Sequence, residues 1–157
     1  MSHEIPSSMQ AELGAWNDGK GIDLDTWIGY EGNFSLAVGY TTLFWPSFIE
    51  LGDYIFFEGV QESNVRQFEQ ALGSTPQSVE WVLNHRHLSD FHGHDKDMSA
   101  DKIIALGNVL KEIYKAKLKF QFPDKPCVVE FYQPEDKDIL DEYQLSFWQK
   151  KHEPKAS

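Results

Sequence analysis

The sequence predicts an α+β domain: an antiparallel sheet of about five strands with helices packed mainly on one face. Three observations carry that expectation. The apolar spacing switches between the helical and the strand period along the chain. The strand-like stretches fall in two groups, separated by a run of helices, so the order lacks a regular strand–helix alternation. At 157 residues the chain is also long enough for one domain, 1–157, to bury roughly 70% of its unfolded surface.

Taken in order, Met9, Leu13 and Trp16 are spaced as one face of a short helix, which Asn17-Asp18-Gly19 ends. Asp23 or Asp25 is placed to cap a second short helical turn carrying Trp27 and Ile28. From Phe34 to Tyr40, large apolar residues alternate with Ser35, Ala37 and Gly39, which is strand spacing, and Pro46 stops it. Residues 48–51 and 54–57 then flank Gly52-Asp53, a two-residue hairpin turn of the Gly-first kind. In that register Ile49, Leu51, Tyr54 and Phe56 share one face, while Phe48, Glu50, Ile55 and Phe57 share the other. Both faces are apolar, so this hairpin is either covered on both sides or shows aromatics to a partner.

Val65, Phe68 and Leu72 give one helical stripe between Ser63 and Gly73, and Thr75-Pro76 restarts a helix with a cap residue and a first-turn proline. Ser99 opens the longest helix, with Ile103, Leu106, Leu110, Ile113 and Tyr114 toward the core. Residues 127–132 and 143–149 complete the set as two strands around an acidic connection. The ends, 1–7 and 152–157, are short and polar and are expected to fray.

Charge is unevenly spread. Nine acids stand against one base, Lys20, in the first 60 residues, which also hold eleven of the 22 aromatics. A net charge of −11 argues against nonspecific nucleic-acid binding, which needs clustered Lys and Arg. No apolar run is long enough to span a bilayer, and the start of the chain lacks a secretion signal. With a single cysteine, Cys127, a reducing cytoplasmic setting is expected.

The segment with most chemical character runs from His85 to His94, where four of the six histidines fall. It resembles the H-x-H-x-D-H run of metallo-β-lactamase-type hydrolases in composition. Its spacing departs from theirs: counted from His85, that run has its Asp at the fourth residue on and its His at the fifth, whereas Asp90 is the fifth and His92 the seventh. A helix continued from Pro76 to about Asp90 would turn His85 and His87 to different faces, so no metal and no cofactor is expected there. Should an ion bind, His87, Asp90 and His94 are the first ligands to consider, with Asp136 as a fourth. Cys127, at the start of an apolar strand, reads as an inert thiol. Phosphate-binding glycine loops, nucleophile elbows and paired-cysteine motifs are all missing.

The expected function is therefore a small acidic cytoplasmic protein-binding module for a basic protein surface. Immunity-type inhibitors of toxins have this kind of composition. Asp23, Asp25, Glu31, Glu50 and Asp53 are the expected partner contacts. The alternative, from a different class, is a metal-dependent hydrolase centred on His85–His94.

Overall fold

The computed structural model describes residues 4–156. Helices α1 (Ser7–Gly19), α2 (Leu24–Glu31) and α3 (Phe34–Phe44) come first, followed by the hairpin β1 (Phe48–Leu51) and β2 (Tyr54–Phe57). Helices α4 (Glu62–Glu69) and α5 (Pro76–Leu83) lead to a two-residue strand β3 (Arg86–His87) and a 3-10 turn, Leu88–His92. Helix α6 (Ala100–Gln121), strand β4 (Cys127–Tyr132) and strand β5 (Gln144–Gln149) complete the fold.

The class is α+β, but the five strands do not form one sheet. β1 and β2 make a two-stranded antiparallel hairpin, and β3, β5 and β4 make a separate antiparallel sheet with β5 in the middle. Two features account for the difference from the expected five-stranded sheet. Residues 34–44 are helical, and helix α5 stands between β2 and β5.

The hairpin has the expected register, with Ile49 opposite Phe56 and Leu51 opposite Tyr54. Gly52 supplies the positive φ of 60° that the Gly-first turn requires. Both faces are covered. Phe56 packs with Val65 and Val79 under α4 and α5, while Phe48, Ile55 and Phe57 join the main core with Leu110, Tyr114, Leu145 and Phe147. Phe48, Phe57 and Phe147 meet with centroids 5.1–5.2 Å apart, in tilted or edge-on arrangements suited to aromatic quadrupoles.

The gap between the sheets is bridged by side chains. Glu80 on α5 and Asn84, its C-terminal cap one turn further on, are both fully buried. Glu80 accepts from the Ile55 amide at 2.9 Å, the Gln149 amide at 2.7 Å and the Gln149 side chain at 2.7 Å. Asn84 accepts from the Phe57 amide and donates to the carbonyls of Ile55 and Phe147. A buried carboxylate is tolerated only when so paired. His152 completes the set, donating from Nδ1 to Glu80 at 3.0 Å and facing Asp53 with Nε2 at 3.3 Å.

Both ends of the described residues make contacts with the body. Ser8 donates its amide to Asp101 at 2.8 Å, and hydrogen bonds from Ser99 and Ser8 hold the Asp101 carboxyl well below the usual carboxylate range. At the other end Lys150–His152 form a 3-10 turn, and His152 meets Glu80. Of the segments expected to fray, 1–3 and 157 lie outside the described residues.

Candidate functional site

The region that departs most from ordinary burial is α2–α3. Asp23 caps α2, accepting from the Thr26 amide at 2.7 Å, a bond that also lowers the Asp23 pKa. Trp27 donates to Glu12 at 3.0 Å, and the Trp16 and Tyr30 rings stand 5.3 Å apart, so α2 is fastened to α1. Positive φ values at Asn17, Asp18 and Gly19 end the regular part of α1, as the sequence indicated.

The expected strand over 34–45 is a helix. Asn33 caps it, accepting from the Leu36 amide at 2.9 Å. Alternation misleads here because no burial enforces it: every residue from 28 to 39 is exposed. What holds α3 to the body is a helical stripe, Tyr40, Leu43 and Phe44, with the Tyr40 hydroxyl hydrogen-bonded to Nε2 of His92. Asn33 in the capping position, with that stripe at i, i+3 and i+4, was the readable signal.

The result is a large apolar display. Phe34 is 91% exposed, Tyr30 70%, Val38 68% and Ile28 62%, with Leu36 beside them. Single exposed apolar residues are commonplace, but five large ones within residues 28–38 make this stretch a candidate interaction surface. Beneath it runs an open groove of about 1310 Å³, floored by Leu43, Phe44, Phe91, Leu106 and Leu110. Glu31, Asp90 and Asp95 are the acids on its lining, and no Lys or Arg lines it. Pockets for small molecules typically hold about 300–1,000 Å³ and enclose their ligand. This groove is larger and open, which suits a segment of another macromolecule.

A smaller cleft of about 440 Å³ adjoins it and shares Leu43, Asp90 and Phe91. His85, Arg86 and His87 line that cleft. Contrary to expectation, α5 does not run on to Asp90 but ends at Leu83, with Asn84 turned into the core. His85 and His87 therefore do not diverge as helical neighbours. Their rings lie 5.2 Å apart, edge to face. Each commits Nδ1 to a backbone carbonyl, His85 to Val82 and His87 to Asp141 at 2.6 Å. Among the described residues no three His, Cys, Asp or Glu side chains are placed to hold one ion, so the structure adds nothing to the hydrolase alternative. Burial, reinforced by the charge of Glu80, pushes the Cys127 thiol up to about 12, as suits an unreactive side chain.

The five acids singled out from the sequence fall in two places. Asp23, Asp25 and Glu31 are together on or beside α2, and Glu31 lines the groove. Glu50 and Asp53 lie on the hairpin and are paired within the chain. Glu50 meets Lys125 at 2.7 Å, and Asp53 meets Lys151 and His152, which lower its pKa. Sequence reasoning missed the apolar residues of α3 as a surface, because a strand was expected to bury one of its faces.

Compared with family models, curated proteins and solved structures, the chain matches none. From residue 21 to residue 65 there is no Lys, Arg or His, while seven acids fall in that span. Among the described residues no helix is long and apolar enough to cross a membrane.

Proposed function

We propose that this protein is a protein-binding module whose α2–α3 surface docks a basic partner protein. The observation that carries the reading is the joint one on 28–39: large apolar side chains left in water, within a 45-residue span free of positive side chains. Aromatic and aliphatic anchors supply affinity once buried, and surrounding charge steers encounter and excludes partners of the same sign. Asp23, Asp25 and Glu31 are the charges in position for that role. Glu50 and Asp53 take a lesser part, because each already has a cation of its own chain. An immunity-type inhibitor of a basic protein is one form such a module takes, and the composition favours it.

Photo-crosslinking tests this. A crosslinking side chain introduced at Phe34, in cells that make the protein, should capture a partner rich in Lys and Arg. Capture should fall when Asp25 and Glu31 are both neutralised. The same probe at Leu72, an exposed apolar position on the far side of the hairpin in sequence, is the control. Equal capture at Leu72, or capture indifferent to Asp25 and Glu31, would defeat the reading.

A further inference from the structure

Resting on that docking reading, we infer that the occupant of the groove is an amphipathic α-helix of the partner, about three turns long, with an apolar face and Lys or Arg beside it. Three features of the site lead there.

The first is backbone chemistry. The groove floor is apolar, and its lining comes from α2, α3 and their connection, α6, and the Leu88–His92 turn with the loop that follows it to Asp95, with no strand among them. An extended peptide laid there would find no sheet edge to extend, and its amides and carbonyls would lose water without gaining partners. A helix satisfies its own backbone and presents side chains alone.

The second is size. α3 forms one wall over 11 residues, about 16 Å at 1.5 Å per residue. A partner helix of matching length offers three or four apolar residues at i, i+3, i+4 and i+7, the stripe that a floor of Leu43, Phe44, Phe91, Leu106 and Leu110 accepts.

The third is charge. The lining carries three acids, Glu31, Asp90 and Asp95, and no Lys or Arg. An anionic bilayer or nucleic acid meets repulsion at such a surface, whereas a basic-flanked helix meets complementarity.

The test uses three fluorescein-labelled 15-residue peptides and the full chain, read by anisotropy. One peptide carries Leu at i, i+3, i+4 and i+7 with Lys on the other positions. The second is its composition-matched scramble, with the leucines spread around the helix. The third replaces Lys by Glu. The Leu/Lys helix should bind at least tenfold tighter than the scramble, and tightness should fall as salt rises. The double variant I28Q/L36Q, changed at two exposed positions that line the groove, should lose about tenfold while melting at the same temperature. Equal binding of the scramble would overturn the helical occupant yet leave acidic docking intact. Equal binding of the Glu peptide would overturn both. No binding by any peptide, with a dimer that I28Q/L36Q dissociates, would assign the groove to a second copy of this chain and overturn the inference.

Discussion

Removing the Glu80 carboxylate is the sharpest test of how the two sheets are joined. Glu80→Ala deletes the acceptor for two buried backbone donors, Ile55 N–H and Gln149 N–H, and for the side chains of Gln149 and His152. Each buried donor left unpaired costs about 1–3 kcal/mol. Two give about 2–6 kcal/mol, a large part of the roughly 5–15 kcal/mol that holds a domain folded. For a chain of this length that is a fall in melting temperature on the order of 10 °C. Glu80→Gln keeps the shape but turns an amide N–H₂ toward donors. Either orientation strands one backbone N–H, so its loss should be about half as large. Urea unfolding followed by the fluorescence of the neighbouring Trp81 and Trp148 measures both. A loss below about 1 kcal/mol for Glu80→Ala would refute the bridge as a stabilising element.

Phe56→Ala should cost about 3–5 kcal/mol, since Phe56 is wholly buried between the hairpin and α5. Glu50→Gln, which breaks an exposed pair with Lys125, should change stability by about 1 kcal/mol or less, and equal losses for the two would disprove the register. Gly107→Ala would bring a methyl group to within 2.2 Å of the Phe131 ring, so a net loss of about 1–3 kcal/mol is expected in thermal melts; a gain would show that α6 sits farther from β4. The depressed pKa of Asp53, set by Lys151 and His152, makes its folded value lower than its unfolded one. Its stabilisation is present above about pH 4 and is lost as pH falls through the folded value. Asp53→Asn should therefore flatten the acid limb of a stability–pH profile, and an unchanged slope would remove Asp53 from the account.

Where local chemistry and tertiary burial agreed, the sequence was readable. Gly52-Asp53 set the hairpin register, Thr75-Pro76 set the start of α5 through a reciprocal Thr75–Ser78 cap, and 127–132 is the strand β4. The failure at 34–44 has a definite cause. Alternation reports a strand only if one face is buried, and here neither is. The acids beside the groove were legible from charge density. Its apolar wall was not, because an exposed Phe34 and Leu36 look like core residues until the fold leaves them outside. The polar bridge was also hidden, since Glu80 and Asn84 resemble any hydrophilic pair one turn apart.

That bridge has a consequence for how the protein avoids its own kind. β3 pairs with β5 only at Leu145 and Gln144, so β5 from Ser146 onward would otherwise offer bare amides on that side, as would β2 at Ile55 and Phe57. Unpaired strand edges recruit other chains into shared sheets, and proteins usually blunt them with surface lysines, prolines or bulges. Here α5 and its C-terminal cap do so from within, placing Glu80 on Gln149 N–H and Ile55 N–H and Asn84 on Phe57 N–H. Loosening α5 would thus expose two adhesive edges at once.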